Sequence, residues 1–337
     1  MRRLVAVQAQ DYPGARWALA LRTPGVVAAE VDALLAAGRI LRTHVLRPTW
    51  HLVLPSDIRW LLRLTAPRVL AGLAGRHRQL DIAPALVRRS QTAIVKALRV
   101  HGPLTRAQIE RVLAGSGLLA RGERLGHLLM RLELDEVIVS GGLAGKQQSH
   151  VLLDDRAPPL VGFDREQALV ELARRYLAGH GPAQDRDLAW WAWLTLGDAR
   201  RAIAGLGRRV SSAVVEGKTF CFLRGGSPPA FRSPLAHLLP NFDEYDVAYQ
   251  DHRPNLHPVL AQRPRALGAL VSHIVSMDGV VIGSWRRTFD GDRVAIHLAL
   301  GRRLKSGERT ALQHQADRYA AHLALRSAVL SSRRLLS

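Results

Sequence analysis

One stretch decides the fold, residues 90–153, which reads SQTAIVKALRVHGPLTRAQIERVLAGSGLLARGERLGHLLMRLELDEVIVSGGLAGKQQSHVLL. Ser90 is a typical helix N-cap residue, and apolar residues recur after it at helical spacing as far as Val100. The tripeptide His101-Gly102-Pro103 ends this pattern, because proline cannot continue a helix. The stretch therefore opens with a predicted amphipathic helix.

Two further helices are predicted in the same stretch. Thr105 and Gln108 have the spacing of a capping box, which predicts a helix to about Ala114. Leucines then recur at helical spacing through residues 125–132 and predict a third helix.

A β-hairpin follows these helices. The apolar segments 137–139 and 151–153 predict two strands, and the glycine-rich residues 141–145 predict a flexible turn between them. Three helices followed by a hairpin is the plan of a winged-helix unit.

The same plan returns in the next part of the chain. A helix over residues 166–177 is followed by His180-Gly181-Pro182, which repeats the tripeptide of the first unit. The later elements are a helix through Trp191, a Thr195-capped helix, and strands over residues 210–215 and 219–223. Two matched units indicate an internal repeat.

The first 88 residues fit a less complete copy of this unit. We expect a helix near residues 31–37, an extended segment over 49–54 and a helix capped by Ser56. No opening helix is evident, so this copy is expected to be incomplete.

After the Gly- and Pro-rich residues 225–229 the pattern changes to strands. Residues 271–275 and 280–282 predict a hairpin across Asp278-Gly279, residues 294–300 another strand, and residues 306 to about 325 a closing helix. We therefore predict an α+β fold, tandem winged-helix units followed by a small β-rich C-terminal domain. The predicted boundaries are 1–88, 89–158, 159–226 and 227–337.

The charge of the chain points to a polyanionic partner. The formal net charge is +20, which attracts phosphate groups and makes nucleic acid the expected ligand. The alternative is an arginine-rich composition that reflects a GC-rich genome, since only positions 96, 146, 218 and 305 are lysine.

The single cysteine, Cys221, excludes an internal disulfide, and no Cys or His spacing predicts a zinc site. No apolar run approaches the length of about 20 residues that a membrane span needs. We expect a cytoplasmic protein without a cofactor and without a membrane partner.

Four segments together resemble a known family. They are VQAQ at 7–10, LRPTWHLV at 46–53, DLAWW at 187–191 and LPNFDEYD at 239–246. In this order they resemble the winged-helix DNA glycosylases of the AlkZ and YcaQ type. That resemblance implies three tandem winged helices and a C-terminal β-domain curved around a DNA channel. It also implies excision of alkylated purines, including nucleotides tied into interstrand crosslinks.

By this resemblance Gln8 and Gln10 are the catalytic pair, in the first unit. If the segment is extended, both amides project to one face, and Ala9 and Asp11 point to the other. Glutamine cannot take a proton at pH 7, so the pair would orient a water molecule and bond the sugar. Spacing alone is weak evidence, since Gln313-His314-Gln315 has the same pattern in a predicted surface helix.

A glycosylase that also cuts the backbone needs an amine to form a Schiff base. Lys96, Lys146 and Lys218 lie far from the motif in the sequence, so a monofunctional enzyme is expected. Family members usually carry a helix ahead of the motif, whereas here Met1 lies close before it.

Residues expected to bind DNA lie in two places. Arg47, Thr49 and His51 belong to the second family segment, although a buried His and a solvated Arg are equally good interpretations. Lys146 and Lys218 lie in the two predicted wings, where they would meet phosphates.

The acidic run of the fourth segment supplies two further candidates. Asp243 and Tyr245 are expected to support the active site, although the acidic residues also suit structural pairing with arginines. The cluster of Trp190, Trp191 and Trp193 has the spacing of core residues and is favoured as core over base stacking.

The expected substrate is double-stranded DNA with alkylated purines, and the expected form is a monomer. The chief alternative is a winged-helix transcription regulator without catalysis. A metal-dependent nuclease using Asp243, Asp246 and His252 is a third possibility.

Overall fold

The computed structural model describes residues 1–225, 230–262 and 273–334, and it confirms the predicted α+β class. The helices are α1 (Tyr12–Arg22), α2 (Ala28–Ala36), α3 (Pro55–Gln79), α4 (Pro84–His101), α5 (Arg106–Gly115), α6 (Gly122–Leu134), α7 (Arg165–His180), α8 (Asp185–Ala192), α9 (Leu196–Ala204), α10 (Glu244–Val247), α11 (Pro258–Ala261) and α12 (Glu308–His322). The strands are β1 (Ala6–Gln8), β2 (Leu41–His44), β3 (Trp50–Val53), β4 (Leu104–Thr105), β5 (Ile138–Ala144), β6 (Gln147–Leu152), β7 (Val210–Val215), β8 (Lys218–Leu223), β9 (Ala236–Leu239), β10 (Ile274–Met277), β11 (Val280–Asp290), β12 (Arg293–Leu300) and β13 (Ser327–Arg334). In these ranges, no helix combines the length and apolar character that crossing a membrane requires.

The chain divides into two structural units. The first comprises Met1–Val7 and Asp32–Arg224, and the second comprises Gln8–Val31 and Gly225–Ser337. The boundary therefore falls inside β1, directly before Gln8. The division of the chain at residues 88, 158 and 226 stays a prediction.

A six-stranded sheet in the order β1-β3-β2-β5-β6-β4 is the main sheet of the first unit. Strands β2 and β3 pair antiparallel from Leu41 opposite Val53 to His44 opposite Trp50. Beside it, α4, α5 and α6 enclose an apolar core that includes Ile94, Ile109 and Leu128. The capping box predicted at Thr105 and Gln108 is confirmed at the start of α5.

The second half of this unit contains α7, α8, α9 and the separate hairpin β7-β8. Asp164 caps α7 by accepting from the backbone N–H groups of Glu166 and Gln167. Thr195 caps α9 through the N–H of Asp198, as its position in the sequence predicts. Short polar caps thus define where these helices begin.

Two predicted caps are wrong. Helix α4 begins at Pro84, so Ser90 lies buried inside its first half, and α3 begins at Pro55, so Ser56 is its second residue. Proline at the first helical position has φ fixed near the helical value and gives up an N–H that would be unpaired there. This preference outweighs the serine in both cases.

The glycine-rich turn predicted at residues 141–145 is shorter than expected. Strand β5 continues to Ala144 through an irregular register between Ser140 and Leu143, and β6 begins at Gln147. Only Gly145 and Lys146 form the turn, where Gly145 has a positive φ of 63°. The glycines therefore permit a bulge within a strand.

The second unit is built on a five-stranded sheet in the order β13-β12-β11-β10-β9. The hairpin β10-β11 turns at Asp278-Gly279, as predicted, with positive φ at both residues. This is the conformation that a two-residue hairpin requires. Residues 226–229 and 271–272, where a boundary and part of a strand were predicted, lie outside the described residues.

Helices α1 and α12 cover the apolar core of this sheet. Trp17 of α1 donates from Nε1 to the carbonyl of Leu238 at 2.6 Å, and its ring meets Tyr319 of α12 edge-on at 5.1 Å. Trp285, Leu298 and other buried residues complete the cluster. Helix α1 thus belongs to the second unit, and the absence of an opening helix from the first winged-helix copy stays a prediction.

The closing helix does not end the fold. Helix α12 is followed by β13, which pairs parallel to β12 from Ser327 opposite Arg293. Strand β13 and strand β9 were not predicted.

Candidate active site

The Gln8-Ala9-Gln10 motif lies between a strand and a helix. Strand β1 ends at Gln8, and Asp11 is the N-cap of α1, where its carboxylate accepts from the N–H of Gly14 at 3.2 Å. Gln8 is buried with 8% exposure, whereas Gln10 is exposed. Strand pairing therefore ends at Gln8, while the backbone of the helix cap Asp11 is extended, with φ −93° and ψ 93°.

Gln8 is held by a buried carboxylate. Its backbone N–H donates to Oε1 of Glu244 at 2.7 Å, and Glu244 is only 1% exposed. The side-chain oxygen of Gln8 is buried and has no hydrogen-bond partner among the described residues. Since an unpaired buried acceptor costs on the order of 1–3 kcal/mol, this oxygen needs a functional explanation.

Asp243 has a structural partner at the end of α1. Arg22 donates to both of its carboxylate oxygens, at 2.8 and 2.6 Å. Burial opposes the charge on Arg22, but the attraction of Asp243 outweighs it and raises the pKa of Arg22 above its usual value. Asp243 also caps α10 by accepting from the N–H of Tyr245 at 2.8 Å. It thereby joins the helix that follows the motif to the segment that carries Glu244.

Tyr245 bonds away from the motif. Its hydroxyl donates to the carbonyl of Gly279 in the turn between β10 and β11. Burial raises the pKa of Tyr245, so the phenol is neutral at pH 7. The contact anchors α10 to the hairpin.

A cationic and aromatic group lies near the start of α1. Nη1 of Arg287 is 2.6 Å from Nε2 of His273, and its guanidinium lies over the rings of Trp285 and Tyr319 at 5.9 and 5.6 Å. Burial, followed by the charge of Arg287, lowers the pKa of His273 to about 4, while Asp11 acts in the opposite sense. The imidazole is therefore neutral at pH 7 and accepts from Arg287.

The residues considered for a metal site fall into separate pairs. Asp243 pairs with Arg22, while His252 lies 3.0 Å from Asp246, an interaction that raises the pKa of the imidazole. In the described ranges no group of three or more His, Cys, Asp or Glu side chains is arranged to hold a metal ion.

The predicted DNA-binding residues of the second family segment belong to the first unit. Arg47 is 7% exposed and lies 5.9 Å from the ring of Trp190. His51 is fully buried, and its Nδ1 is 2.9 Å from the carbonyl of Thr49. This geometry matches the alternative interpretation of His51 as a buried histidine bonded to the backbone.

The two wing lysines also belong to the first unit. Lys146 is exposed at the tip of the β5-β6 hairpin, and Lys218 is the partly exposed first residue of β8. Within α8, Trp191 is fully buried against Tyr176 and His180, while Trp190 is 39% exposed. Of these two tryptophans only Trp191 is therefore a core residue.

A family model described as DNA glycosylase AlkZ-like matches residues 1–322. The chain belongs to this family. The glycosylase also superposes on Streptomyces sahachiroi DNA glycosylase AlkZ with a TM-score of 0.77 and 21% identity, covering 98% of this chain and 92% of that one. At this identity the likeness shows the fold. No curated protein sequence matches the chain.

Family membership establishes a DNA glycosylase that acts on DNA, which excludes the regulator and nuclease alternatives as its primary role. Sequence reasoning missed Glu244 and His273 of this glycosylase. Glu244 lay between two chosen candidates in the fourth family segment, so its carboxyl group was a usable signal. The sequence around His273 gave no usable signal, because only the fold brings His273 close to Arg287.

Proposed function

We propose that this DNA glycosylase hydrolyses the N-glycosidic bond of purines alkylated at N7 or N3, with crosslinked purines among its substrates. The observation that carries the proposal is the Gln8-Ala9-Gln10 motif with the unpaired, buried amide oxygen of Gln8. An amide oxygen in this state is an acceptor suited to one water molecule or one sugar hydrogen.

The chemistry of glutamine limits the substrate class. Neither Gln8 nor Gln10 can remove a proton from water at pH 7, so the leaving group must depart readily on its own. A purine alkylated at N7 or N3 carries a positive charge. When the bond to C1′ breaks, its electron pair goes to the purine nitrogen and discharges that cation. Water then bonds to C1′ and releases its proton to solvent.

Glu244 is proposed as a positioning residue for this step. Its bond to the N–H of Gln8 fixes the backbone from which the amide projects. Its buried carboxyl also lies next to the motif, where an ionised form would favour positive charge on the sugar in the transition state. The electrostatic effect increases as the base leaves, because positive charge then develops on the sugar.

The proposed enzyme is monofunctional. Lys305 is the one lysine in the sequence of the second unit, and it lies just before α12. Tyr319, whose ring is in contact with α1, lies about 16 Å further along α12 by the helical rise. This separation between Lys305 and the ring contact with Trp17 of α1 argues against a Schiff base at the motif.

We propose a monomer that acts in the cytoplasm on double-stranded DNA. The test uses a duplex with one N7-methylguanine, incubated with enzyme and divided into samples with and without alkali. We expect free base in both samples and strand cleavage only in the sample with alkali. Both products should exceed their level without enzyme and should be absent from undamaged duplex. Equal release with and without enzyme would contradict the substrate class. Cleavage without alkali would contradict the monofunctional assignment.

A further inference from the structure

A basic cleft lies in the second unit, away from the motif. It has a volume of about 570 Å³ and is formed by the end of β12, the loop before α12, the start of α12 and the end of β13. Its charged lining residues are Arg302, Arg303, Lys305, Arg309 and Arg333. We propose that this cleft binds a backbone phosphate of the DNA.

A buried carboxylate holds the loop of the cleft in place. Glu308 is 5% exposed and accepts from both terminal nitrogens of Arg302 at 2.7 and 2.8 Å, and from the backbone N–H of Lys305 at 2.7 Å. The hydrogen bonds from Arg302 lower the pKa of Glu308, so the carboxylate stays charged at neutral pH. Arg302 is therefore neutralised, and the loop is fixed before any ligand arrives.

Among the described residues the other four cations form no such ion pair, although Glu308 also attracts Lys305. Arg303, Lys305, Arg309 and Arg333 are exposed, and in the part of the chain that the structure describes none has an ion-pair partner. Four like charges that line one cleft repel one another, and a bound anion removes that repulsion. Their open side chains suit the two non-bridging oxygens of a backbone phosphate, which share one negative charge and accept hydrogen bonds from arginine.

The start of α12 adds to the attraction of the cleft for an anion. This 15-residue helix has Gly307 as its N-cap and no side-chain capping bond, so its first turn presents backbone dipoles to the cleft. The helix alone would not define a site. Together with the four cations and the fixed loop it favours a bound anion such as a phosphate.

The position of the cleft suggests which phosphate it takes. Along α12, Tyr319 reaches Trp17 of the helix that follows the motif, and Glu308 lies about 16 Å away by the helical rise. Successive base pairs rise about 3.4 Å, so this distance corresponds to several nucleotides. The cleft is thus suited to a phosphate that flanks the lesion. This inference rests on DNA as the substrate, and not on the kind of lesion.

The test compares two double variants of equal charge. Arg303→Gln/Arg309→Gln alters the cleft, and Arg89→Gln/Arg99→Gln removes two exposed arginines of α4 in the first unit. Affinity for undamaged duplex is measured by fluorescence anisotropy over a range of salt. The cleft variant is expected to bind about tenfold more weakly, with a salt slope smaller by about 1, while the control keeps the wild-type slope. Equal losses in both variants with unchanged slopes would overturn the proposal.

Inorganic phosphate distinguishes the two possible sources of the ligand. If the cleft binds DNA, inorganic phosphate at constant ionic strength weakens duplex binding to the wild-type protein. In the cleft variant, phosphate leaves duplex binding unchanged. Thermal stabilisation by phosphate that depends on the cleft, with unchanged duplex affinity, would assign the site to the free ion and overturn the proposal. Because undamaged duplex is used, failure of the alkylated-purine assignment would leave these results intact.

Discussion

Glu244 accepts a hydrogen bond from the backbone N–H of Gln8 at 2.7 Å, across 236 positions of the sequence. The carboxyl group belongs to the short segment after β9, and the amide belongs to the last residue of β1. This bond brings an acidic group to a motif that has no base of its own.

The first prediction separates the hydrogen bond of Glu244 from its charge. Glu244→Gln keeps an acceptor for Gln8 and removes the charge, whereas Glu244→Ala removes both. We expect single-turnover excision to fall about tenfold in Glu244→Gln and about a hundredfold in Glu244→Ala, with DNA affinity unchanged. Wild-type rates in both variants would exclude a positioning role. If the excision rate of the variants falls only in proportion to their loss of melting temperature, the role of Glu244 is purely structural.

The second prediction concerns the pair of Arg22 and Asp243. Asp243→Ala leaves Arg22 without its partner and α10 without its cap. Because Asp243 is buried but Arg22 is partly exposed, we expect the free energy of unfolding to fall by about 2–3 kcal/mol. Urea titration measures this, and Asp251→Ala, which breaks an exposed pair with Arg253, is the control with a change below about 1 kcal/mol. Equal effects in the two variants would contradict the structural role of Asp243.

A pH-dependent contribution is predicted for His273. Its pKa of about 4 in the folded protein lies below the ordinary value of 6.5, so the unfolded chain binds more protons between these values. Stability from this group is therefore present above pH 6.5 and is lost as the pH falls toward 4.

The variant His273→Gln keeps an acceptor for Arg287 and removes the titrating group. Wild type should lose about 1–2 kcal/mol more than the variant between pH 7 and pH 5, after allowing for partial exposure of the ring. Urea unfolding at both pH values measures the difference. Other histidines with lowered pKa values, His77, His150 and His237, contribute equally to both proteins. Parallel losses in the two proteins would contradict the neutral state of His273.

Lys146 tests the first wing. Lys146→Ala is expected to weaken duplex binding modestly and to reduce the salt slope by about 1 if the side chain meets a phosphate. Lys96→Ala, an exposed lysine on α4, is the control of equal charge. If Lys146→Ala keeps the wild-type slope, this wing does not contact DNA.

Much of the fold could be predicted because it depends on local chemistry. Thr105 and Thr195 cap helices whose first turns lie beside them in the sequence, and Asp278-Gly279 forms a turn that needs only its own backbone. Ser90 and Ser56 failed as caps because a nearby proline defined the start of each helix. Local signals thus fail where two of them compete.

The candidate site was only partly predictable, because its contacts are distant in the sequence. Glu244 and Gln8 are 236 positions apart in the sequence, and no periodicity indicates such a bond. The same holds for β13, whose parallel pairing to β12 depends on the path of α12. The motif itself was visible through its family resemblance, whereas the groups that support it required the structure.

The measurement that decides the function is single-turnover excision of N7-methylguanine at saturating enzyme. Gln8→Ala and Gln10→Ala are compared with wild type and with Gln313→Ala. Gln313 lies on α12, in the second Gln-x-Gln sequence of the chain. We predict that each motif variant excises on the order of a hundredfold more slowly with nearly unchanged DNA affinity, because its bonds form near the transition state. Gln313→Ala should excise at the wild-type rate. Wild-type rates in both motif variants would contradict the assignment of Gln8 and Gln10.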